Sequence, residues 1–210
     1  MKTNYDLLMN EEIKKFDSKK KLLLHSCCGP CSSYVIDYLN KYFDITILYY
    51  NPNIYPETEY QKRLSEQQRL VKEYNNKDIK VIEIGYNPNE FYEVVKGHEK
   101  DKEGCERCHI CYKLRLEASV KYAKEHNFDY FTTTLSVSPY KNSEVLNNIG
   151  TVLEKEYDVK YLYSDFKKKD GYKKSIELSK KYNLYRQDYC GCIFSMEFMK
   201  NKEYIEKVIV

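Results

Sequence analysis

The 210-residue chain carries 35 Lys and Arg against 32 Asp and Glu, a net charge of +3, together with eight Cys and 23 Tyr. That length suits one domain with a proper core, since a chain of this size removes roughly 70% of its unfolded surface from water. No apolar run approaches the ~20 residues of a membrane span, and "MKTNYDLLMNEEIKKFDSKK" lacks a signal peptide's apolar centre. The expectation is a cytoplasmic protein with no membrane partner, whose thiols are metal ligands or redox groups and not structural disulfides.

Residues 1–20 read as an N-terminal extension, and 21–210 as a single α/β domain. "KLLLHS" (21–26) is the first predicted strand, running into "HSCCGPC" and a helix at about 30–41. "DITILYYN" (44–51) is the second strand; "NPNIYPE" and a helix at 57–75 follow it. "DIKVIEIG" (78–85) is the third, followed by the polar "NPNEFYEVVKGHEKDKEGCERC", which predicts a loop with a short helix and a Cys-containing insert at 97–111. A helix at 106–126, a strand "DYFTTTL" (129–135), the loop "LSVSPYKN" and a helix at 141–156 come next. "VKYLYSD" (159–165) is the last strand, with helices at 171–182 and 194–207 beyond it. Strands alternating with helices predict a parallel sheet covered on both faces. In such folds ligands collect at the carboxyl ends of the strands, where "HSCCGPC", "NPNIYPE" and "LSVSPYKN" would converge.

The cysteines fall into three groups: Cys27, Cys28 and Cys31; Cys105, Cys108 and Cys111; and Cys190 with Cys192. Two groups with CxxC spacing suit four-thiolate ligation of zinc or of a 4Fe–4S centre. Cys28-Gly29-Pro30-Cys31 is also spelled like a thioredoxin dithiol, whose thiolate a helix N-terminus stabilises. Their place at the edge of a sheet that needs no staple favours a working cofactor over a structural zinc. In "YCGC" the single intervening Gly suits a small, strained, redox-active disulfide, or else two spare ligands. From Lys160 to Arg186 nine basic residues face three acidic ones, with five Tyr interleaved. That segment could lie along a phosphate backbone with rings stacked on bases, or it is a solvated lysine-rich face.

Taken together, "LLLHSCCGPCSSYVIDYL", "NPNIYPETEYQKR", "ERCHICYKLRLEASVKYA", "FTTTLSVSPYKN" and "SDFKKKDGYKKSIELSKKYNLYRQDYCGC" resemble the QueH-type epoxyqueuosine reductases, in order, over about residues 20 to 200. The resemblance implies a Rossmann-like fold related to PP-loop and adenine-nucleotide-hydrolase domains. It implies reduction of epoxyqueuosine in tRNA to queuosine, the last step of queuosine biosynthesis. In PP-loop relatives a Gly/Ser-rich loop after the first strand binds phosphate; cysteines stand there here, so nucleotide binding is not expected. The resemblance carries a 4Fe–4S cluster onto Cys27, Cys28, Cys108 and Cys111, a redox-active pair onto Cys190 and Cys192, and an additional mononuclear iron as an option. Cys31 is then a further ligand or thiol and Cys105 an accessory. The electron donor stays unidentified.

Removing an epoxide oxygen to leave an alkene takes two electrons and two protons and releases water. A cluster delivers electrons singly, so the Cys190–Cys192 dithiol is the natural two-electron store. His25 and Asp188 are candidate proton sources; His25 reads equally as a core residue bonded to backbone, and Asp188 as a cap or surface acid. Lys167, Lys168, Lys169, Lys173, Lys174 and Arg186 are candidate tRNA contacts in the segment 160–210, and Ser138, Lys141 and Asn142 candidate pocket residues. Two other readings fit parts of the pattern. One is a non-catalytic zinc-stabilised RNA-binding domain; the other is a PP-loop-like tRNA sulfur-transfer enzyme, for which the phosphate loop is missing.

Overall fold

A computed structural model describes residues 3–74 and 78–199. Its sheet has five strands, all parallel, in the order β3-β2-β1-β4-β5, where β1 is Lys20–His25, β2 Phe43–Tyr49, β3 Lys80–Glu83, β4 Tyr130–Thr133 and β5 Lys160–Tyr161. Helices flank it: α1 Tyr5–Ile13, α2 Gly29–Leu39, α3 Glu57–Glu73, α4 Pro88–Val94, α5 Glu106–Glu125, α6 Ser143–Tyr157 and α7 Gly171–Lys181. This is the parallel α/β sheet expected from the alternation of runs, and it fits the Rossmann-like class that the resemblance implied.

The central strand explains the two layers. Leu22 and Leu24 point to one face, into a core shared with α1, α2, α3 and α7. Leu23 points to the other, among side chains of α5 and α6. A strand buried on both faces must be apolar throughout, as "LLL" is. The segment 1–20 supplies α1, whose Met9 and Ile13 join the first core.

Several strands end earlier than their sequence suggests, and the fourth and fifth do so for a visible local reason. After Thr133 the chain tightens into a 3-10 turn, Thr134–Val137, because the Thr133 hydroxyl accepts from the Leu135 amide at 3.1 Å. After Tyr161 the fifth strand leaves the ladder. Asn147 of α6 replaces the missing strand partner, its carboxamide accepting from the Ser164 amide and donating to the Ser164 carbonyl, both at 2.9 Å. Of the helix expected at 194–207, residues 193–199 are helical and the remainder lies outside the described residues.

The sheet order places a topological switch between β1 and β4, where the chain leaves the sheet in opposite directions. A crevice at the carboxyl ends of these strands is the consequence.

Candidate functional site

The loop after β1 delivers the first cysteines. Cys28 is the N-cap of α2 in extended backbone, and Pro30 occupies the first turn, where its missing N–H costs nothing. The ligating atoms of Cys27, Cys28 and Cys31 all lie within 4.8 Å of one another, and the Cys27 and Cys28 sulfurs are 3.7 Å apart. Hydrogen bonds from Cys28 and Cys31 hold the Cys27 thiol well below its ordinary pKa against the opposing effect of burial, with Arg115 and His25 adding to the depression. Cys31 goes well above, because the same trio places its proton next to sulfurs competing for charge.

The second group stands at another helix N-terminus. Cys105 is the exposed N-cap of α5, while Cys108 and Cys111, three residues apart on one face, are buried. The Gly104 amide donates to the Cys108 sulfur at 3.2 Å. Burial is the main force raising the thiols of Cys108 and Cys111. Cys27, Cys28 and Cys108 share one buried cluster under α5. Cys108 and Cys111 do not belong to the tight trio itself.

The C-terminal segment closes the crevice and brings the third group. Tyr55 donates its amide to the Gly191 carbonyl at 2.8 Å, and Arg63 of α3 donates to the Cys190 carbonyl at 3.1 Å. Gly191 has φ +127, and a Cβ there would meet the Arg63 guanidinium at 3.0 Å. Only glycine suits both constraints. Gln187 reaches back to the Cys28 sulfur at 3.0 Å. From the loop after β4, the Lys141 ammonium donates to the Cys190 sulfur at 2.9 Å. Burial opposes the Lys141 charge, yet Cys190, to which it also hydrogen-bonds, and Tyr112 raise its pKa well above normal. Cys192 lies deeper, beside Cys111, and burial next to Cys190 pushes its thiol up to about 12. No disulfide joins any of the eight cysteines.

These loops enclose a cavity of about 470 Å³. Cys27 and Cys31 line one part of its wall and Cys190 another, with Asp188, Ser138, Lys141 and Arg186 between them. Of the three loops expected to converge, "HSCCGPC" and "LSVSPYKN" line the cavity, whereas "NPNIYPE" contributes no residue to its wall and instead holds the C-terminal segment through the Tyr55 amide and Gly191 carbonyl. Asn142 is elsewhere: its carboxamide caps α6, accepting from the amides of Glu144 and Val145.

His25 is wholly buried and absent from the cavity wall. Its Nε2 lies 3.1 Å from the Tyr50 carbonyl, which can only accept, so Nε2 carries the proton and Nδ1 accepts from the Thr133 hydroxyl at 2.9 Å. Burial, aided by the Arg115 charge, lowers its pKa to about 4. A neutral ring with both nitrogens engaged has no proton to deliver into the crevice. Of the two proton candidates, Asp188 alone faces the cavity.

The six basic residues divide in the same manner. The Lys167 ammonium is used internally, bonded to the Ser136 and Lys141 carbonyls and to Asp165 at 2.9 Å, so it braces the loop after β4. Lys169 pairs with Asp6, Lys174 sits over the Tyr34 ring, and Arg186 on the cavity wall donates to the Ser179 hydroxyl. Lys168 and Lys173 are exposed, with no ion-pair partner among the described residues.

Sequence reasoning passed over Arg63, Arg115, Gln187 and Asn51. Arg63 is buried against Glu59 at 2.6 Å, and Arg115 is buried beside Cys111 on α5. The signal for Arg115 was its position four residues after Cys111, on the same face of one helix. The donor set is soft thiolate throughout, which suits iron–sulfur or zinc, and two helix N-termini with the buried Arg63, Arg115 and Lys141 suit an anionic centre. The thiols thus fit such a group, and the place of Cys27 and Cys31 on a cavity wall fits a reactive centre better than a closed structural one.

A family profile described as epoxyqueuosine reductase QueH matches residues 22–198. Among curated proteins, the "Epoxyqueuosine reductase QueH" of Staphylococcus epidermidis is 43% identical, the alignment covering 92% of this chain and 85% of the relative. That of Streptococcus pyogenes serotype M1 is 41% identical over 92% of this chain and 78% of its own length. The Thermotoga maritima protein of the same name is 36% identical over 83% and 90%.

Proposed function

The chain belongs to the epoxyqueuosine reductase QueH family, an oxidoreductase family acting on tRNA, and we propose that its crevice removes the epoxide oxygen with a thiolate-held 4Fe–4S centre and the Cys190–Cys192 dithiol. One observation carries the reading: Cys27 and Cys31 share a single cavity with Cys190. Ligands for the centre come from Cys27, Cys28, Cys108 and Cys111, with Cys31 within reach of the first two. Such a group, when bound, supplies electrons singly to a substrate in the cavity.

The chain's own residues do the rest. The epoxide takes two electrons and two protons, giving the alkene and one water. Oxidising the two thiols of Cys190 and Cys192 to a disulfide releases two electrons and two protons, so the exchange balances. Of the two carboxyls on the cavity wall, Glu103 accepts from the Ser195 hydroxyl, and Asp188 is the one we assign to pass a proton to the departing oxygen. Lys141 holds the Cys190 sulfur toward the cavity. Arg186 and Ser138 flank the space a modified base would enter, and the exposed Tyr140 on the rim offers a stacking surface for a neighbouring base.

The test is composition. Protein purified anaerobically is expected to be brown, with about four iron and four sulfide per chain. Cys27→Ala and Cys108→Ala should each lose the colour, and Cys105→Ser should keep it. A colourless protein that takes up only zinc, even after anaerobic reconstitution with iron and sulfide, would favour the non-catalytic RNA-binding domain instead.

A further inference from the structure

Arg115 carries a charge that no acid neutralises among the described residues. It is 2% exposed, on the inner face of α5. Its Nε donates to the Cys111 carbonyl at 3.2 Å and one terminal nitrogen lies 3.5 Å from the Asn51 Oδ1. The other terminal nitrogen is buried with no partner among the described residues. Arg63 and Arg69 are treated differently: Arg63 has Glu59 at 2.6 Å, and Arg69 has Glu66 at 2.8 Å and Glu73 at 2.7 Å, while the buried Arg107 is met by the His98 and Glu99 carbonyls and the Phe194 ring.

A guanidinium cannot shed its proton to escape burial, so a buried one needs an anion. The groups that act on Arg115 are the sulfurs of Cys111 on its own helix, Cys190 on the C-terminal segment and Cys27 after β1, with the Tyr112 hydroxyl. The other charged or titratable groups it faces are Lys141 and the His25 ring, and neither supplies negative charge. Neutral thiols would not balance it, whereas thiolates gathered around metal would. Asn51 fixes the guanidinium's place, since its carboxamide also donates to the Ser26 carbonyl at 2.9 Å, beside the trio.

We propose that Arg115 is the built-in counter-charge of the thiolate-held centre and sets how readily that centre accepts an electron. The proposal rests on the iron–sulfur reading above. An all-thiolate centre gains negative charge when reduced, so a fixed cation at its edge favours the reduced form. Arg115 acts through the centre as a positioning and tuning residue, without touching substrate.

The experiment compares wild type, Arg115→Lys and Arg115→Gln, each purified and reconstituted anaerobically, in a redox titration followed by visible absorbance. Arg115→Gln should shift the one-electron equilibrium about tenfold toward the oxidised form, equivalent to ~59 mV more negative. Arg115→Lys should retain most of the wild-type potential. A second readout uses metal-free protein: removing an uncompensated buried charge should leave the melting temperature of apo Arg115→Gln equal to or above that of apo wild type. The loaded variant should melt below loaded wild type. Unchanged potential in Arg115→Gln overturns the assignment. So does a lowered melting temperature of the apo variant, which would make Arg115 a structural tether to Cys111; this arm decides the matter even where the variant fails to load. A wild type without iron and sulfide overturns the iron–sulfur reading itself, a failure that composition alone distinguishes.

Discussion

His25 sits at the point where chemistry and architecture are hardest to tell apart from sequence. It lies two residues before Cys27, yet its ring is consumed by Thr133 and the Tyr50 carbonyl. His25→Ala would take away the acceptor for the Thr133 hydroxyl hydrogen and the donor to the Tyr50 carbonyl and open a cavity, so it should cost about 2–4 kcal/mol of stability in a denaturant titration of the apoprotein. Lys141 has the opposite character. It is buried on the cavity wall against Cys190, and Lys141→Met should slow a single turnover by about 10²-fold, as removal of a placed electrostatic group does, while leaving tRNA affinity nearly unchanged. The cysteines were legible in the sequence because their residue type announces chemistry and their spacing announces groups. Arg115 was not, because it is one of 35 basic residues and its lack of a carboxylate partner shows only in the folded chain. An absent partner is a tertiary fact. The same holds for Lys167, whose neighbours Lys168 and Lys169 give it the look of a basic patch although its ammonium faces inward.

The segment between α7 and Cys190 has almost no regular structure and is held by α3. Arg69 donates to the Tyr182 and Asn183 carbonyls at 3.1 and 3.0 Å, and Glu66 accepts from the Tyr185 amide at 2.8 Å. Arg69→Ala should therefore free the segment carrying Cys190, seen as faster amide exchange at Tyr185 and faster proteolysis between 182 and 190. The pH dependence has a definite sign. The Arg69 hydrogen bond, and behind it the Tyr185 amide, hold the Glu66 carboxyl below its ordinary 4.5 against the effect of burial. A depressed carboxylate contributes stability that is present above the unfolded pKa and lost as pH falls through the folded one. Tyr185 protection should accordingly be flat above about pH 5 and decline below about 4.5; protection that instead fell on raising the pH from about 5 to about 8 would contradict this anchoring. Strands and helices were legible at this scale because each carries its own periodicity, and α3, α5 and α7 begin and end within two residues of the sequence reading. The tail's docking was not, because irregular backbone leaves no periodic trace and its anchors lie more than 100 residues away. Asn147, which ends the fifth strand by mimicking its neighbour, was hidden for the same reason.

The molecule as a whole is a parallel sheet whose switch point gathers the loops after β1 and β4 and a C-terminal strap around one cavity. Among the described residues, no helix is long and apolar enough to cross a membrane. Of the six candidate contacts, Lys168 and Lys173 are exposed with no ion-pair partner among the described residues, which leaves them for phosphate. Replacing each with Ala should weaken tRNA binding and reduce the slope of log affinity against log salt by about 1 for every phosphate that no longer meets a lysine. Lys167→Ala should lower stability and leave that slope unchanged. The central claim is that this crevice reduces epoxyqueuosine in tRNA through thiolate chemistry. It is tested most directly by incubating the anaerobically reconstituted protein with epoxyqueuosine-bearing tRNA and a low-potential reductant, then analysing the tRNA nucleosides by mass. The expected result is loss of one oxygen from the modified nucleoside, abolished in Cys27→Ala and Cys190→Ser. Iron-loaded protein that binds the tRNA and leaves the nucleoside's mass unchanged would contradict the account.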